Sequence, residues 1–213
     1  MSTKQKADLK VIIMGDFNVG KTSLICRYIE GKFQQQEPTI GAAFFLKQWG
    51  PYNVAVWDTA GDEKYAGLSQ FYCRSAGAAI LAYDMNDPKT FESLWARFTP
   101  MLGAANEDCL RVVVGTKMDT VTPETREITV EDGKRLAREF NEHIDISKTP
   151  FEPYFETSSK EGRGVQDVFD YIFQYCLPLS DEQRKRQSKV SRSTVDLMDE
   201  SNVHKHQKGK CGC

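Results

Sequence analysis

Short apolar runs alternate along the chain with segments of helical period. Residues 9–14 (LKVIIM) are almost continuously apolar, as expected of a parallel strand buried on both faces. Residues 21–30 (KTSLICRYIE) lack Gly and Pro and predict a helix that stops at Gly31. Two runs, 43–49 and 53–57, flank Gly50-Pro51 and predict a hairpin. Residues 77–83 (GAAILAY) and 110–115 (LRVVVG) predict two more buried parallel strands. Between them Phe91, Leu94, Trp95, Phe98 and Leu102 share one face of a helix predicted over 88–105. Thr129-x-x-Asp132, close to a capping box, opens a helix running to about residue 141. A last strand is expected over 151–156. A last helix over 165–177 turns Val165, Val168, Phe169, Ile172 and Cys176 inward. Strands alternating with helices define a three-layer α/β architecture around a mostly parallel six-stranded sheet. From Ser180 the pattern stops. Residues 181–213 hold eight Lys/Arg against five Asp/Glu and almost no large apolar side chains, so a disordered tail is expected. The expected organisation is a flexible N-terminus over 1–8, one folded domain over 9–177 and a tail over 178–213. No internal repeat is visible.

Composition narrows the class without choosing a function. The 213 residues are 40% hydrophobic and 27% charged with a formal net charge of -2, ordinary for a soluble globular protein and no sign of nucleic-acid binding. No run approaches the ~20 apolar residues of a membrane span, and the N-terminus lacks a signal peptide's apolar region. Cytosolic residence is therefore expected, with the six cysteines reduced rather than bridged. Cys26, Cys73, Cys109 and Cys176 lie in or beside apolar patterns and read as small core fillers.

The chemistry enters between the first strand and the first helix. Residues 15–22 spell GDFNVGKT, the full G-x-x-x-x-G-K-[ST] pattern. A glycine-rich turn at that junction lets backbone N–H groups surround phosphate oxygens, and the helix N-terminus adds partial positive charge. Lys21 would reach the β- and γ-phosphates, and the Thr22 hydroxyl would bind Mg²⁺. A plain surface turn explains neither residue.

A phosphate loop alone does not choose ATP or GTP. Residues 57–61 (WDTAG) end the second hairpin strand and would place Asp58 near the metal and the Gly61 N–H near the γ-phosphate. Residues 116–119 (TKMD) follow an apolar strand, at the carboxyl edge where open α/β sheets bind ligands. A carboxylate there can accept from the ring N–H and the amino group of guanine, whereas adenine has no matching donor pair. Residues 157–160 (TSSK) follow the last strand and would face the same base. Each segment is weak alone, since an Asp after a strand is usually a cap. Their order and placement are not.

GDFNVGKT, PTIG, WDTAG, TKMD and ETSSK, in that order, resemble the small GTPases and within them the Rab family. The resemblance spans residues 15–160. Residues 40–44 (IGAAF) and 72–76 (YCRSA) look like Rab-specific segments. FLKQW at 45–49, YN at 52–53 and YCR at 72–74 are most similar to the Rab branch numbered twenty, while TIGAAF and GTK are similar to the branch numbered twenty-four.

The resemblance implies a P-loop GTPase G domain with GTP or GDP as ligand and Mg²⁺ as cofactor. It implies that Gly15 and the segment Asn18, Val19, Gly20, Lys21 and Thr22 cradle the phosphates and that Ser23 adds an α-phosphate contact. Thr22 and Thr39 would ligate Mg²⁺, with Asp58 acting through water. Phe33 would pack on the guanine face, against the alternative of a core aromatic at a helix end. Lys117 would lie along the base and Asp119 would read it, with Ser158, Ser159 and Lys160 on its other side. Phe44, Trp57 and Tyr72 would form an aromatic patch for effector proteins, against the alternative of ordinary core or surface aromatics. Implied partners are effectors, an exchange factor, a GTPase activator, a prenylation escort and a GDP-dissociation inhibitor, with a monomeric G domain. The implied location is the cytosolic face of endosomal, phagosomal or Golgi membranes, with a cytosolic pool.

Three residues depart from the family pattern. Of the catalytic set Lys21, Gly61 and residue 62, the last is Asp62 where a Gln usually orients the attacking water. An ionised carboxylate aimed inward opposes the transferring phosphoryl group, by ~4 kcal/mol at 4 Å and an effective dielectric near 20. Phe17 occupies a loop position usually held by a small residue; its ring would crowd the γ-phosphate, unless it packs away on neighbouring segments. Both point to very slow intrinsic hydrolysis. Thr116 stands where the family has Asn, which bridges base and phosphate loop; weaker base binding is expected. Two alternatives stay open: a constitutively GTP-loaded binding module, and a nucleotide-poor scaffold. A P-loop kinase or ATPase is disfavoured by Asp119 and by the lack of acceptor-site residues.

The chain ends KCGC. That is not the C-a-a-X form; it resembles the Cys-x-Cys ending on which Rabs carry two geranylgeranyl groups, here Cys211 and Cys213. Two lipids are what stable anchoring takes, and Lys205, Lys208 and Lys210 would add attraction to anionic lipid. A metal pair with His204 and His206, or an inert terminus, are the competing readings.

Overall fold

The computed structural model describes residues 7–61 and 71–183; expectations for Asp62, Cys211, Cys213 and the tail lie outside the described residues. The chain divides into a unit ending at Pro178 and a second beginning at Leu179. Of the second unit only 179–183 are described, where the Ser180 N–H donates to Gln183 Oε1 at 2.8 Å.

Six strands form one sheet in the first unit: β1 (Leu9–Met14), β2 (Ala42–Trp49), β3 (Tyr52–Thr59), β4 (Ala78–Asp84), β5 (Leu110–Thr116) and β6 (Tyr154–Glu156). Their order is β2-β3-β1-β4-β5-β6. Only the β2–β3 pair is antiparallel. Among the described residues the helices that build the layers are α1 (Lys21–Glu30), α2 (Pro88–Ser93), α3 (Thr99–Leu102), α4 (Val130–Phe140) and α5 (Val165–Cys176). β1 lies between β3 and β4, so the chain leaving β1 enters the crevice where strand order reverses, the usual ligand position in such sheets.

Alternation along β1 builds two cores. Val11 and Ile13 join Leu24, Ile25 and Tyr28 of α1 and Val168, Phe169 and Phe173 of α5. Ile12 and Met14 join Leu94, Phe98 and Leu102 and, from α4, Leu136 and Phe140. Tyr28 stacks on Phe169 with ring centroids 3.9 Å apart. Cys26, Cys73 and Cys109 are buried free thiols and Cys176 is half-buried, in keeping with their reading as fillers.

The expected capping box is complete: the Asp132 N–H donates to Thr129 Oγ1 at 3.1 Å and the Thr129 N–H to Asp132 Oδ2 at 3.2 Å. Gly31 caps α1 in the left-handed region at φ 68°. Two elements differ from expectation. The helix predicted over 88–105 is broken by a π turn at Leu94–Phe98 and ends at Leu102. Leu94, Phe98 and Leu102 are buried as expected, whereas Trp95, the second residue of the π turn and expected inside with them, is 50% exposed, its ring 5.2 Å from that of Phe140. The last strand begins at Tyr154, because Pro153 before it has no N–H for a ladder.

Candidate functional site

The carboxyl ends of β1, β3, β4 and β5 bring the sequence motifs to one edge. The phosphate loop leaves β1 at Gly15, whose φ of +146° and whose nearest neighbour would stop a side chain: a Cβ there would lie 2.1 Å from the Ala82 carbonyl oxygen. Asn18 adopts a left-handed φ of 61°, and Gly20 caps α1 at φ 95°. Between them Val19 is buried and anchors the loop in the α1 core. Lys21, 6% exposed, turns back over the loop, where its Nζ donates to the carbonyls of Gly15 at 2.9 Å and Asp16 at 2.8 Å. Burial pulls its pKa down to about 8, against the pull of Asp58 and Asp16. Gly61 closes the loop from the β3 side. A Cβ on it would come within 2.6 Å of both the Asp16 carbonyl and Lys21 Nζ, so only glycine fits.

Beside Lys21 three side chains converge. The hydroxyls of Thr22 and Thr39 both donate to Asp58 Oδ2 at 2.7 Å and lie 3.0 Å from each other. Asp58 is fully buried, and burial pushes its pKa up while the two hydroxyls and Lys21 pull it down. Its other oxygen, Oδ1, is buried with no hydrogen-bond partner. An orphaned carboxylate oxygen beside two hydroxyls is an all-oxygen donor set of the kind Mg²⁺ takes, so these residues fit the ion that the fold family implies. A cavity of about 100 Å³ opens here, lined among others by Lys21, Thr22, Ser23, Thr39 and Phe17. Phe17 is 61% exposed, so its ring stands at the cavity rather than packed away.

The segments expected to face the base meet on the far side of the loop. Lys117, at a left-handed φ of 60°, donates to the Asn18 carbonyl at 2.8 Å and pairs with Asp84 at 2.7 Å. Burial raises the Asp84 pKa, but the hydrogen bonds from Lys117 and Asn86 outweigh it and leave the carboxyl below its ordinary value. Asp119 Oδ1 accepts from Ser158 Oγ at 2.7 Å. Thr116 is buried, and its Oγ1 reaches the carbonyls of Val19 at 2.5 Å and Tyr83 at 2.8 Å. The hydroxyl ties Thr116 to the phosphate loop, as an Asn side chain would; it has no amide to offer a base, the ground on which weaker base binding is expected. Ser159 is buried and Lys160 exposed. Phe33, past the end of α1, is 49% exposed.

Phe44, Trp57 and Tyr72 are brought together as a patch. Phe44 meets Trp57 edge-on at 5.2 Å, and Trp57 lies 5.7 Å from Tyr72. Lys10 Nζ sits 5.0 Å above the Trp57 ring.

Sequence reasoning missed Arg27, whose guanidinium holds the carbonyls of Ser159 and Lys160, each at 2.5 Å. It also missed Asp84, and Ser93 and Arg97, which grip Asp16. None carries a motif signal, because each acts on a motif residue from a distant element.

A crossover sheet with a phosphate loop at its reversal point, a buried Asp under two hydroxyls and a carboxylate at the end of β5 define a guanine-nucleotide-binding domain of Ras type. The Ras family model matches residues 10–177, and the chain belongs to that family, whose members are GTPases. Among its relatives are Rab-type proteins. Ras-related protein Rab-20 of Mus musculus is 36% identical over 220 residues, covering 91% of this chain and 93% of the relative. Its Homo sapiens counterpart is 34% identical, covering 97% and 99%. Ras-related protein Rab-24 of Dictyostelium discoideum is 36% identical, covering 80% and 81%. Among the described residues no helix is long and apolar enough to cross a membrane.

Proposed function

We propose that the chain is a Rab switch that holds GTP or GDP with Mg²⁺, hydrolyses GTP slowly, and recruits effectors to an intracellular membrane in its GTP form. The observation that carries the reading is the convergence of Thr22 and Thr39 on Asp58, whose second oxygen is buried and unpartnered. Thr39 belongs to a segment, 32–41, without regular structure. Thr39 would fix that segment when its hydroxyl holds the metal beside a γ-phosphate, and would free it when they leave. Bound there, Mg²⁺ neutralises charge on the β- and γ-phosphates. Thr22 and Thr39 would hold it directly and Asp58 through water. Lys21 and the Gly61 N–H would hold the γ-phosphate, and the loop from Gly15 to Ser23 the remaining phosphates. Phe33, Thr116, Lys117, Asp119, Ser158, Ser159 and Lys160 would bind the guanine. Phe44, Trp57 and Tyr72 would receive effectors. Lipids on Cys211 and Cys213 would hold the monomer on endosomal, phagosomal or Golgi membranes, where exchange factor, activator, prenylation escort and GDP-dissociation inhibitor act on it.

A second reading, a module that stays GTP-loaded, is favoured by Phe17, exposed at the cavity where an assisting side chain from an activator has to enter, and by Asp62 in the chain. One experiment separates them. The purified full-length chain is denatured, its nucleotide is identified by anion exchange, and a single-turnover hydrolysis course is followed. GDP with measurable turnover supports the switch; GTP with negligible turnover supports the loaded module. A folded chain without nucleotide rejects both.

A further inference from the structure

Arg27 lies in the last turn of α1 and spreads its guanidinium over three backbone carbonyls. Nε donates to Ser159 and Nη2 to Lys160, both at 2.5 Å, and Nη1 donates to Gly31 at 2.7 Å. The first two carbonyls belong to the loop after β6, 132 and 133 residues away along the chain. The third belongs to the glycine that caps the helix Arg27 sits on. A planar fork of donors can serve neighbouring acceptors in this way, and an ammonium cannot.

The loop that Arg27 grips is tied in turn to Asp119. Ser158, at its start, is fully buried. The Ser158 N–H donates to the Arg163 carbonyl at 3.0 Å, and the Ser158 carbonyl accepts from the Gly162 N–H at 2.7 Å. The Ser158 hydroxyl accepts from the Glu161 N–H at 3.0 Å and gives its own proton to Asp119 Oδ1 at 2.7 Å. One residue before Asp119, the Met118 N–H donates to the Thr157 carbonyl at 3.0 Å. Bonds therefore run without a break from Arg27 through the 157–160 loop to the Asp119 carboxylate. Through Gly31 the same guanidinium braces the start of the segment that carries Phe33.

We propose that Arg27 is a positioning residue for guanine recognition: it fixes the 158–160 loop so that the Ser158 hydroxyl aims the Asp119 carboxylate at the amino group and ring N–H of the base. The inference rests on the reading of Asp119 and this loop given above. A carboxylate that discriminates a base has to meet its donors in line, since hydrogen bonds weaken steeply with angle. Without Arg27 the carbonyls of Ser159 and Lys160 turn to water, and the loop keeps only its internal bonds and its link to Asp119. The carboxylate is then held by a looser support, and the contact that suffers is the one that distinguishes guanine. None of the three Arg27 bonds goes to the metal residues or to the phosphate loop, so the phosphates and the ion keep their partners.

The test uses the full chain with GDP and inosine diphosphate, which has the phosphates, ribose and ring N–H of GDP and lacks the amino group. Affinities for both are measured by competition against a fluorescent GDP analogue in wild type, Arg27→Ala, Ser158→Ala and the double variant. Wild type should prefer GDP. In Arg27→Ala the ratio of GDP to inosine diphosphate affinity should fall by about fivefold, the scale of one net hydrogen bond. A chain that is merely less stable loses both nucleotides alike and keeps the ratio. Ser158→Ala should lower the ratio too. Adding Arg27→Ala to it should change the ratio by less than about twofold, because the link through which Arg27 acts is already cut. Should Arg27→Ala not fold, Arg27→Gln decides: its shorter amide has donors on one nitrogen and cannot span both loop carbonyls, so the ratio must fall. An unchanged ratio in Arg27→Ala or in Arg27→Gln, or a double variant that falls by the product of the two single effects, overturns the proposal. A wild-type chain that binds the two diphosphates equally overturns it together with the reading of Asp119. One that binds neither overturns the nucleotide reading itself, and both results are seen before any variant is compared.

Discussion

The Thr116 hydroxyl lies 2.5 Å from the carbonyl oxygen of Val19 and ties the end of β5 to the phosphate loop. The same oxygen is 2.8 Å from the Tyr83 carbonyl, and a hydroxyl has one proton to share between the two. Both contacts are buried. Thr116→Val keeps the shape and removes the donor, leaving two carbonyls without that partner. The expected loss is about 1–3 kcal/mol of folding stability, read by urea unfolding. Release of bound nucleotide should also quicken, because Val19 positions the loop. Unchanged stability and release would mean that the neighbouring backbone satisfies both carbonyls without Thr116.

Much of this site is legible in the sequence, and what is not shares one physical cause. Lys21, Thr22, Asp58 and Asp119 sit at strand ends, where a local pattern fixes both element and direction. Thr39 is legible only by resemblance, since nothing periodic surrounds it. The Asp16–Arg97 pair is separated by 81 residues, and no local pattern reports a contact at that range. The π turn is invisible for another reason. The apolar spacing of Leu94, Phe98 and Leu102 satisfies an α-helix, and only packing on β4 and α4 reveals the extra residue. Trp95, which the same spacing turns inward, is half exposed.

Asp58 is the acceptor on which Thr22 and Thr39 close. Asp58→Ala removes it, leaving the hydroxyls without their shared partner and the proposed ion without its water-mediated carboxylate. Such a neighbour typically costs ~10–100-fold in metal affinity. Adding a chelator should speed nucleotide release from wild type strongly. From Asp58→Ala, release should already be fast and respond little to chelator. A variant whose release remains slow and chelator-sensitive would place the metal elsewhere. Release is followed with a fluorescent GDP analogue.

At the end of β6, Glu156 joins that strand to the segment before α4. Arg126 meets it with two bonds of 2.6 and 2.9 Å, and the Tyr154 hydroxyl donates at 2.8 Å. Burial raises the Glu156 pKa, but these hydrogen bonds outweigh it and hold the carboxyl below the usual glutamate value of 4.5. The folded chain therefore binds this proton less readily than the unfolded one. The contribution is complete above about pH 4.5 and is lost as pH falls through the depressed folded value. Glu156→Gln should make stability less dependent on pH below about 5, while wild type loses more on acidification. Parallel pH–stability curves for the two would show that the cluster contributes nothing through its charge.

Tyr154, which donates to Glu156 and lies 3.0 Å from the Tyr83 hydroxyl, owes its place to a glycine. A Cβ on Gly133 of α4 would fall 2.1 Å from Cε2 of the Tyr154 ring. Gly133 is within a helix, where exchange to alanine at an open site is favourable by about 1 kcal/mol. Here the ring is 7% exposed and is held by its hydroxyl at both ends of the network, so it has no room to yield. Overpacking of this kind costs about 1–3 kcal/mol. Gly133→Ala should therefore lower the melting temperature, against its helix propensity. Gly133→Ala/Tyr154→Leu should recover part of the loss relative to Tyr154→Leu alone, because the clash disappears with the ring. If Gly133→Ala instead raises the melting temperature, α4 can slide from β6, and Tyr154 is not fixed by that contact.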